Sequence, residues 1–152
     1  TVESPLYHFE VGGNSATLDG VDAVKGFYAV WAQTNQSIFY VEDEQIAVAD
    51  NFIASVATMY QQTHGKTLAG NGIAVDDENA YYLMRVPGMQ MFWPYDDQCR
   101  LIGEDVWEPR GAERTLTKLT ASEVLTSEQA GKLLEPLIKP LRCFEEAMLQ
   151  SA

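Results

Sequence analysis

The sequence is poor in basic side chains. Its 152 residues carry 10 Lys and Arg against 22 Asp and Glu, which gives a formal net charge of −12 at pH 7. Nucleic acids and anionic membrane surfaces are recognised by clustered positive charge, and the chain has no such cluster. We therefore expect neither a nucleic-acid nor a membrane partner, and we interpret the acidity as a contribution to solubility.

Cysteine and long apolar runs are also scarce. The two cysteines, Cys99 and Cys143, form no metal-ligand spacing and no disulfide framework, which favours a reducing, cytoplasmic location. No apolar run approaches the ~20 residues that span a bilayer. No signal peptide opens the chain, although a start at Thr1 without Met is compatible with a lost upstream piece.

Signatures of cofactor and metal chemistry are missing as well. The sequence contains no glycine-rich phosphate loop, no pair of histidines at metal-ligand spacing and no Ser-His-Asp pattern. We therefore predict a protein that works without cofactor or metal.

What the sequence does contain is one long hairpin at residues 80–108. Its first run is dense in aromatic, branched and thioether side chains, which suit a buried strand. Residues 94–98 supply turn chemistry, and a second run restarts at Arg100. Because neither face of the first run is plainly polar, we expect it to lie in a sheet that is covered on both faces.

The rest of the chain alternates short strands with helices. We predict a helix from Val21, whose apolar positions follow helical spacing, and a bulge at the acidic stretch 42–44. A second helix is predicted to begin at Thr126 or Ser127. The remaining predictions are strands at 6–11, 38–49 and 52–63, loops at 14–20 and 109–118, a short strand or ordered loop at 67–75, and a last helix at 141–149.

This order of elements predicts an α+β fold, with helices packed on one face of a curved sheet. A chain of this length fits a single domain, which we divide into a main body at 1–120 and a C-terminal helical extension at 121–152 that packs on it.

Three motifs in this order resemble the nuclear transport factor two-like superfamily, in particular its SnoaL-like branch of polyketide cyclases, ketosteroid isomerases and limonene epoxide hydrolases. The motifs are LDGVDAVKGFYAVW, THGKTLAGNG and FWPYDDQCRLIGEDVWE, and the resemblance covers residues 6–108. It implies a cone, in which a bent antiparallel sheet wrapped by helices encloses a pocket, and a homodimer formed through the sheet face. Relatives carry helices before the first strand, and none precedes Leu6 here; either the chain is trimmed or the 122–150 helices cover the cone.

The resemblance also locates candidate catalytic residues. The isomerases' two acids fall at Val11 and at Met89 or Met91, so their dyad is missing. An acid on the last strand of hydrolases and cyclases falls at Val106, and a slip of one residue would place it at Asp105. Strand parity points Glu104 and Val106 inward and Asp105 outward, so Glu104 is the inward carboxylate closest to the family's acid.

We therefore expect Glu104 to act as general acid or base, with Arg85 across the hairpin orienting it or clamping an anionic group of the ligand. The alternative is that the two form a structural ion pair. Strict alternation points one set of side chains into the cone and the other toward a partner subunit. The inward set is Leu83, Arg85, Met89, Met91, Trp93, Ile102, Glu104 and Val106, and the outward set is Tyr82, Met84, Val86 and Phe92.

Aromatic and thioether side chains are predicted to bind a flat, apolar ligand, the alternative being that they are simply core. These are Tyr7, Phe9, Tyr28, Trp31, Tyr60, Met89, Met91 and Trp93. We expect His8 to face away from the pocket, His64 to lie in an exposed turn and Cys99 to be no nucleophile.

Two functions follow from these observations. The first is a cofactor-free isomerase, cyclase or hydrolase that acts on a small, largely apolar molecule through Glu104. The second is a non-catalytic homodimeric module for ligand binding or interaction.

Overall fold

The computed structural model describes residues 1–140, and both Cys143 and the helix predicted at 141–149 lie outside this part of the chain. Residues 1–140 form seven strands and three helices, followed by a 3-10 turn at Glu135–Leu137. In chain order these are β1 (Leu6–Val11), β2 (Asn14–Asp19), α1 (Val21–Gln33), β3 (Phe39–Val48), β4 (Phe52–His64), α2 (Gly65–Gly70), β5 (Tyr81–Pro94), β6 (Gly103–Trp107), β7 (Thr115–Lys118) and α3 (Ser127–Leu134).

The predicted α+β class is confirmed, and the strands form one curved, mixed sheet. Its order is β2-β1-β6-β5-β4-β3, with β7 pairing to β5 beside β6. β1 and β6 run parallel to each other, while the other pairs of described strands are antiparallel. The parallel pair therefore brings the start of the chain against the second strand of the 80–108 hairpin.

A bulge in the middle of β5 determines which side chains face the interior. Val86 pairs with Met59 and Met89 pairs with Ala57, so Pro87 and Gly88 together oppose one residue of β4. Gly88 has a φ of 72°, a conformation that glycine adopts without strain. The extra residue reverses the alternation of side chains, because a strand has a period of two.

This bulge makes part of the predicted facing wrong. Strict alternation across residues 81–94 sends Leu83 and Arg85 inward, yet the structure turns both outward. The inward side chains before the bulge join those after it in one core cluster. Its buried members are Leu68, Tyr82, Met84, Val86, Met89 and Val106.

Among the other predictions from the sequence, two are confirmed by the structure and three stretches differ from it. The predicted bulge at 42–44 is confirmed by a register shift between Glu42 and Gln45, and Asp43 there has a φ of 53°. Thr126 is the N-cap of α3 in a capping box with Gln129. The loops predicted at 14–20 and 109–118 contain β2 and β7, and the stretch predicted as strand or loop at 67–75 begins within helix α2.

The segment before α3 is attached to the body by hydrogen bonds. The Gln62 side chain donates to the Leu125 carbonyl at 2.9 Å and accepts from the Leu125 amide at 3.0 Å. The apolar stripe of α3 and the following turn is exposed at Leu133, Leu134, Leu137 and Ile138. The boundary near residue 120 stays a prediction. None of the helices in residues 1–140 is both long and apolar enough to cross a bilayer.

Gly103 permits the close approach of β1 and β6. A Cβ at this position would lie 2.2 Å from the Leu6 carbonyl oxygen, so we expect Gly103→Ala to lower the free energy of unfolding by roughly 2–3 kcal/mol. The measurement is urea denaturation. The control is Gly26→Ala in α1, where a Cβ meets nothing within 4 Å and helix propensity predicts a gain of about 0.5–1 kcal/mol. Equal effects of the two substitutions would contradict this interpretation.

Candidate functional site

A cavity of about 310 Å³ lies between α1 and the inner face of the sheet. Its walls are mostly apolar, and its charged lining residues within the described chain are Glu104 and Arg114. The apolar lining residues include Phe9, Val11, Phe27, Tyr28, Trp31, Phe39, Met59, Leu68, Ile73, Met84, Met89, Met91 and Val106. Such a composition suits a small, mostly apolar molecule.

Glu104 is held at the cavity wall by two donors. Its carboxylate accepts from the Tyr28 hydroxyl at 3.0 Å and from the Trp93 indole N–H at 2.8 Å. Strand pairing explains the second contact, because Met91 opposes Val106 in the β5–β6 ladder and Trp93 continues this row to Glu104. The carboxylate is thereby oriented by one side chain from the helix and one from the sheet.

The aromatic stripe of α1 explains why Tyr28 reaches Glu104. Phe27 stacks on Phe9 of β1 with ring centroids 5.1 Å apart, and Trp31, one turn later, lies 5.0 Å from Phe27. These contacts fix the helix over the inner face of the sheet and set its rotation. Tyr28, next to Phe27 in α1, then points its hydroxyl at Glu104 on β6.

The environment of Glu104 keeps the adjacent phenols protonated. Burial, followed by the charge of Glu104 and the hydrogen bond to it, raises the pKa of Tyr28 well above its usual value. Burial, followed by the same charge, raises the pKa of Tyr7, which pairs with Glu104 across the β1–β6 ladder. Tyr28 is therefore a hydrogen-bond donor throughout the physiological pH range.

Arg85 does not pair with Glu104, so the sequence-based pairing is wrong. The bulge at 87–88 places Arg85 on the outer face, where its Nε donates to the Tyr60 hydroxyl at 3.3 Å. Tyr60 in turn stacks on Tyr40 of β3, with centroids 4.7 Å apart and an interplanar angle of 4°. Arg85 and Tyr60 thus lie on the opposite side of the sheet from the cavity.

His8 and Asp105 point outward, as predicted. Asp105 faces His8 across the β1–β6 pair, with His8 Nδ1 4.0 Å from the carboxylate. His64 is partly exposed and serves as the N-cap of α2, where its Nδ1 accepts from the Lys66 amide. Cys99 is free and exposed.

Of the eight predicted ligand-binding residues, five line the cavity. These are Phe9, Tyr28, Trp31, Met89 and Met91. Tyr7 is buried on the inner face of β1, beside Glu104, and Trp93 stands behind the carboxylate that it binds. Whether any of them contacts a ligand stays a prediction.

Sequence reasoning missed an ion pair at the cavity wall. Arg114 binds the Glu108 carboxylate through Nε and Nη2, and the Gly12 amide donates to the same carboxylate at 2.6 Å. A Cβ on Gly12 would lie 2.5 Å from Arg114 Nη2, and Gly12 has a φ of 66°, a conformation that glycine adopts without strain. In the sequence, Glu108 and Arg114 are opposite charges six positions apart at the ends of a charged, irregular stretch. No helix or strand period in this stretch indicates that the two side chains pair.

Sequence reasoning also missed the polar lining of the cavity. Gln36, Gln61, Thr63, Thr67 and Asn71 line it together with the apolar groups. Within residues 1–140 no cluster of three His, Cys, Asp or Glu side chains is placed to hold a metal ion.

Comparisons with known proteins show likeness in structure at low sequence identity. No protein-family model matches the chain, and no curated protein matches it. A phenazine biosynthesis-related protein from Pseudomonas aeruginosa is similar in structure, with a TM-score of 0.46, 9% identity, and coverage of 94% of this chain and 72% of that one. A CaMKII hub from S. rosetta gives a TM-score of 0.43 and 11% identity over 72% of this chain and 76% of that one. Such values carry no activity over to this chain, and membership of the SnoaL-like branch stays a prediction.

The raised pKa of Tyr28 has a consequence for stability at high pH. Above about pH 10 the phenol ionises in the unfolded chain but not in the folded one, so the unfolded state binds fewer protons and the free energy of unfolding falls as pH rises. Tyr28→Phe removes this contribution. We expect the mutant to be less stable at pH 7 by about 1 kcal/mol, through loss of the bond to Glu104, and to approach the wild type between pH 10 and 12.

The measurement is urea denaturation of both proteins at a series of pH values, with the tyrosine absorbance followed in parallel. Because Tyr28 is 38% exposed, solvent screens its interaction with Glu104. We therefore expect the difference in free energy of unfolding between the two proteins to shrink by about 1 kcal/mol at most. A gap that stays constant from pH 7 to 12 would contradict the account of Tyr28.

Proposed function

We propose that the cavity binds a small, largely apolar molecule that presents a hydrogen-bond donor to Glu104. The observation that carries this proposal is a carboxylate oriented by Tyr28 and Trp93 at the wall of a mostly apolar cavity. An ionised carboxylate has about four acceptor positions. Residues 1–140 use two of them, and a ligand hydroxyl or ammonium group can donate to the others.

The charges around Glu104 support this interpretation. Among the described residues its carboxylate forms no salt bridge, while the other charged lining residue, Arg114, is engaged by Glu108. A carboxylate at an apolar wall is stabilised by any further donor that approaches it. A ligand donor would therefore gain a charge-assisted hydrogen bond.

The same geometry supports cofactor-free acid-base chemistry. As a general base Glu104 would take a proton from a substrate C–H or O–H group and return it to another atom, which completes an isomerisation or cyclisation without electron transfer. In a hydrolysis it would take the proton of an attacking water, whose oxygen bonds to the substrate carbon as the C–O bond breaks, and return that proton to the oxygen that is released. The single O–H of Tyr28 already donates to Glu104, so Tyr28 orients the carboxylate for this proton transfer.

The second candidate is a non-catalytic homodimeric module that uses the outer face of the sheet. This face carries two stacked or tilted aromatic pairs, Tyr40 with Tyr60 and Phe52 with Phe92, the latter with centroids 4.9 Å apart. Tyr40 is 47% exposed. Exposed aromatic surface favours association, and sedimentation analysis of the wild type against Tyr40→Glu tests it; a monomeric wild type would exclude this candidate.

Binding is tested with 2-naphthol, whose flat apolar body and single hydroxyl match the cavity. We expect Glu104→Gln to weaken binding about tenfold, since a bond to a charged acceptor contributes about 1.5–3 kcal/mol. Asp105→Asn is the matched control, because it removes the neighbouring carboxylate from the outer face and leaves affinity unchanged. Tryptophan fluorescence reports binding, and mass spectrometry of the purified protein identifies any natural ligand.

Catalysis is tested with a panel of epoxides, hydroxy-ketones and steroids, analysed for product formation. We expect turnover of at least one class, reduced 100-fold or more in Glu104→Gln. Glu104-dependent binding without turnover on any substrate would favour the non-catalytic module. Absence of binding, or equal losses in Glu104→Gln and Asp105→Asn, would reject the cavity as a Glu104 site.

A further inference from the structure

We propose that the cavity has a second polar subsite at Thr63, remote from Glu104, and that the ligand is an elongated molecule with a hydrogen-bonding group at each end. The inference rests on the proposed function, which it deepens by specifying the shape and polarity of the ligand.

The Thr63 hydroxyl is buried and lacks a partner. Thr63 lies on the inner face of β4, lines the cavity and is 4% exposed. Its Oγ1 has no hydrogen-bond partner within residues 1–140. A buried hydroxyl in that state destabilises the protein, so its position in the cavity lining is explained if a ligand group bonds to it.

The groups around Thr63 define the chemistry that fits. Gln61, two positions earlier on the same face, donates from Nε2 to the Gln36 carbonyl at 2.9 Å. Thr67 and Asn71 complete a neutral polar lining. Because no free charge lies among these groups, the complementary ligand group is a neutral hydroxyl or carbonyl rather than a carboxylate or ammonium.

Strand pairing shows that the two subsites are far apart. Thr63 opposes Tyr82, whereas Ile53, ten positions away on β4, opposes Trp93 beside Glu104. Tyr28 bonds to Glu104, and the Gln36 carbonyl, just beyond the end of α1, accepts from Gln61 beside Thr63. Eight residues at the helical rise separate the two subsites by roughly 12 Å. A compact ligand therefore reaches only one subsite, and an elongated one is needed to reach both.

The wall between the subsites suits an adaptable apolar body. Met59, Met84, Met89 and Met91 all line it. Thioether side chains are unbranched and flexible, and they repack around different shapes. The orientation of the ligand therefore depends on the hydrogen bonds at its two polar ends.

The test uses 2-naphthol carrying at position 6 a linear alkyl chain of graded length, with or without a terminal hydroxyl. The naphthol hydroxyl donates a hydrogen bond to Glu104, and the alkyl chain extends toward Thr63. At one chain length we expect the terminal hydroxyl to raise wild-type affinity about fivefold, the range of a net hydrogen bond. Thr63→Val abolishes this gain and leaves the affinity for 2-naphthol itself unchanged.

Ser55→Ala is the matched control. Ser55 is a second buried hydroxyl of β4 without a partner in the described chain, 7% exposed, and it does not line the cavity. Both substitutions are expected to raise the melting temperature of the ligand-free protein by about 2–4 °C. The gain from the terminal hydroxyl persists in Ser55→Ala and is lost in Thr63→Val.

The outcomes separate this inference from the function on which it rests. If 2-naphthol binds through Glu104 but the terminal hydroxyl gives no gain at any length, or the gain survives in Thr63→Val, the second subsite is wrong and the proposed function stands. If 2-naphthol does not bind to the wild type, the proposed function fails and the subsite with it. A lowered melting temperature of Thr63→Val would show a structural role for the hydroxyl and would also overturn the subsite.

Discussion

The bulge at Pro87–Gly88 is the constraint on which the interior depends. Without the extra residue, one half of β5 would present its thioether side chains to the cavity while the other half presented Leu83 and Arg85. With it, inward positions on both sides of the bulge form one continuous apolar wall. Proline suits this site because it offers no ladder donor, and glycine suits it because φ is 72°. A chemically small insertion therefore keeps a guanidinium out of the core.

Several secondary-structure elements together position the carboxylate at the cavity wall. Glu104 comes from β6, Trp93 from β5 and Tyr28 from α1, and the position of α1 depends on the stacking of Phe27 against Phe9 of β1. Tyr28 is held by edge contacts with Phe27 and Trp31 that do not involve the carboxylate. Rigid orientation of a charged acceptor is what both specific binding and acid-base chemistry require.

Much of the fold was predictable because its signals are local. Helical spacing located α1, alternation and turn residues located the long hairpins, and the acidic stretch marked the bulge in β3. Strands β2 and β7 were missed because they are short and mostly exposed, so they lack an apolar pattern. The facing of Glu104 followed from parity within one short strand, whereas that of Arg85 and Tyr60 depended on register between strands. The contact of Tyr28 with Glu104 and the unpartnered hydroxyl of Thr63 are tertiary facts with no sequence pattern.

The parallel pairing of β1 with β6 bears on the order in which the molecule can be assembled. Residues 6–10 pair with residues 103–107, and the Gly12 amide reaches Glu108 across 96 positions. Contacts of such long range form only after a large loop has closed, which slows folding. During synthesis β1 leaves the ribosome long before its partner exists, while the β3–β4 hairpin can form at once. The carboxylate and the aromatic helix above it therefore cannot come together before β6 has been synthesised, and the apolar wall of the cavity stays open to solvent and to chaperones until then.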